Sequence, residues 1–297
     1  MSFEIPTAFV QQYGSTVEHL VQQKGSRLRN AVSLDTNVVG KTKYYDQIGL
    51  VAARKVNNRH GDSPLNSTPH ERRRVTLFDY DTGDLIDEPD KLRTLIDPAG
   101  EYTMAHAMAM SRAIDDEIIS AFTGTAYQGE DGSTSVTFPT TQQVAVNSWA
   151  YGTGSGNSGL TISKLIEAAN ILGENETDPD EPTYIACSQK QISDLLQTTE
   201  VTSVEYNSVR ALTEGRINTF MGMQFIRTER LLTDSNSYRR VIAWKPSGIK
   251  LAMAKDVTAR IAPRADKRFS TYAYFCMTLG ATRMQEEKVV EIKCSEA

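Results

Sequence analysis

Cysteine is scarce and odd in number. Cys187, Cys276 and Cys294 stand far apart, so the chain carries neither a disulfide framework nor the paired spacing of a zinc site, and the three read as reduced thiols of a cytosol. Histidine is no richer: His19, His60, His70 and His106 are isolated, none at metal-ligand spacing from another His or Cys. A basic surplus is missing too. Lys and Arg total 32 against 37 Asp and Glu, a net charge of −5, which gives no general pull toward nucleic acid. No apolar run reaches membrane-span length, and the start MSFEIPTAFVQQYG lacks the basic and apolar regions of a secretory signal. No Walker A sequence, no G-x-S-x-G elbow, no cysteine in a catalytic context and no internal repeat at solenoid or propeller period occurs. These absences point away from an enzyme, a metal, a cofactor or a membrane.

What is present is a chain of 297 residues, 39% hydrophobic and 23% charged. That is an ordinary globular balance, with length for one large domain or two modest ones. The most informative stretch runs from Tyr44 to Phe122. YYDQIGLVAARKV (44–56) and RRRVTLFDY (72–80) carry the β-branched and aromatic residues of strands. Between them NNRHGDSPLNSTPHE has no core-forming pattern. A two-stranded ribbon with such a tip is marginal alone, so it is expected to borrow stability from a neighbouring subunit. A single helix over 98–123 follows. Asp97 is its N-cap, Pro98 its first residue, Glu101 sits in its first turn and Gly124 closes it. Ala107, Ser111, Ile114, Ile118 and Phe122, with Met104 and Met108 beside them, make one stripe expected to be buried. At 1.5 Å per residue the helix is about 39 Å long.

The remainder reads as α and β mixed. Residues 1–40 are polar, with a short helical candidate at Thr16–Gln23. YGTGSGNSG (151–159) is the clearest linker and, with the 57–71 loop, the segment expected to move. Thr161–Leu172 reads as an amphipathic helix, Thr183–Cys187 as a buried strand, and Ser188 with Gln191 as a capping box opening another helix. Strands are expected at 216–220, 223–227, 240–244, 248–254, 257–262, 269–283 and 288–294, with Tyr272, Tyr274 and Cys276 on one face and Phe275, Met277 and Leu279 on the other.

Three constellations could carry chemistry. Gly154, Gly156 and Gly159 satisfy G-x-G-x-x-G, but the preceding NSWAYGT is polar and Asp178 and Asp180 lie in a Pro-broken turn; a dinucleotide site needs a hydrophobic strand before it and an acid at a strand end. Glu174, Glu176, Asp178, Asp180 and Glu181 lack the ordered spacing of a calcium loop and read as a solvated turn. Arg72, Arg73 and Arg74 alternate, placing Arg72 and Arg74 on one face and Arg73 on the other. They read as a charged strand edge or as an ion-pairing surface for a neighbour, and less as a phosphate contact.

The order of these parts resembles the major capsid protein of tailed bacteriophages, of the Hong Kong 97-type fold, an α+β architecture. The segments LTISKLIEAANIL, TYIACSQKQISDLL and LTEGRINTFMGMQFIRTERL are similar to that family's axial domain, and the tail, with its LGATR turn, to its closing sheet. The resemblance implies residues 1–40 as N-terminal arm, 41–92 as the extended β-hairpin loop, 93–159 and 233–297 as a peripheral domain with spine helix 98–123, and 160–232 as the α/β axial domain. It implies a structural protein that self-assembles as hexamers and pentamers into an icosahedral virion shell around double-stranded DNA, in the host bacterial cytoplasm, without sequence-specific binding. Arg54, Lys55, Arg72, Arg73 and Arg74 on the hairpin arm are then the expected inter-subunit contacts. Separate scaffolding, portal and decoration proteins are the expected partners, and no cofactor is expected. Lys55 lies on the hairpin, but no matching acceptor Asn or catalytic acid is found, so an isopeptide crosslink is not expected. An encapsulin-like nanocompartment shell shares the fold and is the alternative; a nucleotide-binding enzyme using Gly154–Gly159 is the alternative of another class.

Overall fold

An early segment of the chain pairs with a strand made much later. In the computed structural model, which describes residues 22–36, 38–55, 65–86, 98–152, 154–197 and 219–296, a 3-10 turn at Arg29–Ala31 leads to β1 (Ser33–Asp35). Next come β2 (Thr42–Ile48), β3 (His70–Thr76), β4 (Phe78–Ile86) and helix α1 (Pro98–Thr123). β5 (Ala126–Gln128), β6 (Thr134–Val136) and β7 (Gln143–Val144) precede α2 (Ile162–Glu174), β8 (Thr183–Cys187) and α3 (Gln189–Leu196). The chain finishes with β9 (Thr219–Phe220), β10 (Met223–Arg227), β11 (Arg239–Trp244), β12 (Ile249–Arg264), β13 (Ser270–Arg283) and β14 (Val289–Cys294). Residues 16–21 of the helical candidate Thr16–Gln23, Asp97, residues 57–64 of the 57–71 loop and the strand start at 216–218 lie outside the described residues.

Among the described residues three sheets form, ordered β7-β14-β11-β8-β10-β9, β1-β12-β13-β4 and β2-β3-β5-β6. The sequence reading of 72–80 as one strand is corrected here. Leu77 breaks it by donating its N–H to Lys41 O at 2.9 Å, and the halves enter different sheets, which alternation alone cannot reveal. The strand expected to reach Val56 stops at Ile48, because Leu50–Lys55 are exposed and have nothing to pack on. The two strands expected at 248–254 and 257–262 are one continuous strand, β12.

The described residues divide into two compact units. The smaller holds 22–26, 79–86, 98–113 and 255–278; the other holds the rest. In the smaller unit Phe275 and Met277 are buried, as are Met108 and Met110. His106 stacks on Phe275 with centroids 5.6 Å apart and shares a 3.0 Å hydrogen bond with Thr82 Oγ1, so it is a packed, satisfied residue. Met104, expected in the buried stripe, is half exposed.

The larger unit is built on the six-stranded sheet. One of its faces takes Leu165, Ala168 and Leu172 of α2 and Ile192 and Leu195 of α3 against Ile185, Val241, Ala243, Val290 and Ile292. VIAW at 241–244 is buried throughout because both faces are covered. On the far side Trp244 meets Phe122 at 4.6 Å between centroids and donates Nε1–H to Ala31 O at 2.7 Å. Burial pushes the Cys187 and Cys294 thiols up to about 12, which leaves them unreactive packing residues.

Helix α3 carries the predicted cap: Ser188 N–H donates to Gln191 Oε1 at 2.7 Å in a capping box. Ser188→Ala should lower stability by about 1 kcal/mol, read as a shift of the urea midpoint without a change in slope. Glu296 fastens the chain end to the same corner, accepting from Gln191 Nε2 (2.9 Å) and from Arg239 Nε (3.0 Å) and Nη2 (2.9 Å). The Arg239 hydrogen bond holds the Glu296 carboxyl below its ordinary 4.5, against the opposing effect of burial. Its contribution is therefore fully present above about pH 4.5 and lost as pH falls through the lowered value. Glu296→Gln should flatten the loss of stability as pH falls below about 4.5; an unchanged acid limb in urea melts would refute this role.

Candidate assembly surface

The arm is the β2–β3 ribbon. Its antiparallel register pairs Thr42 with Thr76 through to Ile48 with His70. On the outer face lie the cross-strand pairs Tyr44 with Arg74, Asp46 with Arg72, and Ile48 with His70. Arg72 Nε donates to Asp46 Oδ1 at 2.6 Å, and the Arg74 guanidinium stacks 4.7 Å from the Tyr127 ring of β5. Beyond Gly49, which donates its N–H to Pro69 O at 2.9 Å, the described residues 50–55 and 65–68 are exposed, joined by Asn66 Nδ2–H donating to Ala52 O at 3.3 Å. Ile48 is 71% exposed, Leu50 97% and Leu65 100%. Apolar side chains held in water on a two-stranded ribbon are a cost to the lone chain.

The inner face anchors the arm. Arg73 is buried and donates Nη2–H to Glu286 Oε2 at 2.6 Å. Glu286 Oε1 accepts from Arg283 Nε at 3.3 Å. Arg283, fully buried, donates Nη1–H to Phe122 O at 2.8 Å and Gly124 O at 2.9 Å, closing the end of α1 with a cation where the helix dipole is negative. Burial pulls the Arg283 guanidinium below its ordinary value and Glu286 opposes that; it stays charged at neutral pH. The ribbon root, the helix end and the β13–β14 turn are thus one ionic knot. Of the five basic residues expected at contacts, Arg73 is committed inside its own chain, Arg72 and Arg74 have partners on the ribbon and β5, and Arg54 and Lys55 are exposed. The structure adds Arg283 and Glu286, which sequence reasoning did not single out although the LGATR turn contains Arg283.

The ribbon root also borders a groove of about 650 Å³ between the outer face at Ile48, His70 and Arg72 and the turn Gln128–Glu130. The distal half of the β12–β13 hairpin is a second exposed feature: every residue from Ala259 to Phe269 is open to solvent.

The glycine motif does different work from a phosphate cradle. A Cβ on Gly154 would lie 2.3 Å from the Trp149 ring, and one on Gly159 2.0 Å from Asp194 Oδ2. These glycines admit a tryptophan and an aspartate. The linker expected to move is held: Trp149 Nε1–H donates to Gly156 O at 2.9 Å, and the buried Lys164 donates Nζ–H to Ser158 O and Gly159 O at 2.8 and 3.0 Å. The acidic turn is docked as well, Glu181 accepting from Ser247 N at 2.6 Å and Oγ at 2.8 Å. Among the described residues no group of three or more His, Cys, Asp or Glu has metal-holding geometry, and no helix is long and apolar enough to cross a membrane.

A family model described as phage capsid protein matches residues 5–296. No curated protein matches the chain. Among solved structures it is similar to the capsid of the cyanophage P-SCSP1u, at 13% identity and TM-score 0.77, over 100% of this chain and 96% of that one. It is also similar to Mycobacterium phage Che8, at 14% and 0.71 over 96% and 97%. A third likeness is the acid-stable capsid of the Helicobacter pylori bacteriophage KHP30, at 11% and 0.72 over 99% and 98%.

Proposed function

The chain belongs to the phage capsid protein family, a structural protein of the virion shell and not an enzyme, and we propose that its copies build that shell as hexamers and pentamers around double-stranded DNA. Self-association follows from the family; the ring sizes and the role of the arm are our reading. The observation that supports it most is the ribbon that leaves Ile48, Leu50 and Leu65 in water while its root is locked by Arg73, Glu286 and Arg283. A rigid root with an unburied apolar blade fits a part that is completed by a neighbour. The exposed Arg54 and Lys55 on that blade, with Arg72 at its base, would make ion pairs with the neighbouring subunit. Scaffolding, portal and decoration would be separate proteins, and assembly would take place in the host cytoplasm.

Many modest contacts repeated over a closed shell make a stable whole without any single strong one. A net charge of −5 suits a wall that must not adhere to a polyanion. The test is particle size, by light scattering and negative-stain microscopy of purified protein. Shells of tens of nanometres, or discrete rings of five and six, are expected. Nuclease-protected DNA inside native particles would separate a virion from a protein-filled compartment. A stable monomer that never assembles, with or without co-expressed scaffold, would overturn the reading.

A further inference from the structure

The exposed end of the β12–β13 hairpin is a basic feature of an acidic chain. Arg260, Arg264, Lys267 and Arg268 stand there against the single Asp266. Asp266 is taken by Arg264, through Nε at 3.0 Å and Nη2 at 2.7 Å. Arg260, Lys267 and Arg268 hold no ion pair among the described residues. Beside them Phe269 is 67% exposed. Arg268 and Phe269 both have left-handed backbones, φ 51° and 56°, a conformation costly for non-glycine residues. The turn thus holds an aromatic ring and two cations out in water.

The ribbon-root groove has the opposite character. Asp46 and Arg72 neutralise one another, which leaves Glu71 and Glu130 as its net charge; Glu130 is close enough to act on the Arg72 guanidinium. Ile48 forms an apolar wall beside them. An aromatic residue flanked by cations matches an apolar wall flanked by carboxylates, and opposite potentials of this kind fix partner and register. We propose that the Lys267–Phe269 tip of one copy seats in the ribbon-root groove of a second copy, with Phe269 against Ile48 and the cations against Glu71 and Glu130. The contact is heterologous, the kind that closes rings when repeated. It rests on the shell reading above and adds to it the face by which one copy grips the next.

The test is a charge-reversal cycle read by sedimentation of assembled particles, with thermal melts showing that each variant is folded. Lys267→Glu with Arg268→Glu should cut particle yield at least tenfold, and so should Glu71→Lys with Glu130→Lys. Combining all four should restore it. Normal assembly of either reversed pair, or no rescue by the combination, would overturn the contact. Normal shells that lose only their DNA on tip reversal would overturn it in favour of a phosphate contact. A second measurement separates a neighbouring copy from the same chain: oxidised particles of the Arg268→Cys, Glu130→Cys variant should run as a covalent ladder on non-reducing gels, and monomers alone would refute the inter-copy contact. If wild-type protein never assembles, the shell reading falls and this contact with it.

Discussion

Arg283→Met should cost about 3–5 kcal/mol, the range for breaking a buried ionic contact, and lower the melting temperature by roughly 10 °C. The side chain is fully buried and donates to Phe122 O, Gly124 O and Val136 O while pairing with Glu286. Methionine fills much of the volume but supplies no donor, so three carbonyls lose this partner, that of Phe122 in a buried place. Glu286 keeps Arg73, so the loss falls on the helix end more than on the ribbon. Arg283→Lys should recover little, since one ammonium cannot reproduce a planar fork aimed at several carbonyls. Arg73→Met should cost less than Arg283→Met. A melting temperature within about 2 °C of wild type for Arg283→Met would show that the knot is ornamental.

The second large effect is on assembly and leaves the fold alone. Replacing residues 50–68 by an Asn-Gly turn keeps the β2–β3 pairing up to Ile48 and His70. It removes Leu50–Lys55 and Leu65–Thr68, all exposed, together with the intervening loop. Monomer stability should change by no more than about 0.5 kcal/mol, as for surface changes away from packing. Particle yield should fall at least tenfold, because each copy loses its blade and a shell multiplies that loss over every neighbour. Normal particles from this variant would refute the role given to the arm. The pair of outcomes is diagnostic: Arg283→Met weakens the subunit, the arm replacement spares the subunit and removes the shell.

Local chemistry was legible in the sequence wherever it was self-contained. α1, β8, β10 and the Ser188–Gln191 box stand where propensity, caps and alternation place them. The order of parts along the chain carried the fold family, and the alternation of Arg72, Arg73 and Arg74 sent Arg73 inward. What stayed hidden was long-range. Nothing near Arg283 announces the carbonyls of Phe122 and Gly124, some 160 residues away. Nothing near Leu77 announces that β3 and β4 part company into different sheets. The glycine motif misled in the other direction, since Gly154 and Gly159 are set by Trp149 and Asp194, neighbours that only the fold reveals. The exposed tip at Phe269 read as the start of a strand, because a left-handed turn of two non-glycine residues leaves no sequence signature.

The placement of β14 has a consequence for birth order. It is made after β7, β8, β10 and β11, yet it lies inside the six-stranded sheet, between β7 and β11. β1, among the first, waits for β12, with Ser33 paired to Lys250. At the usual rate of about 5–20 residues per second, β7 waits roughly 7–30 s for β14, and until then the sheet lacks the strand between β7 and β11. A nascent chain therefore cannot present finished contact surfaces to its siblings on the same message. Competence to join a shell waits for β14, so identical chains crowded on one message are held back from premature polymerisation by the topology itself.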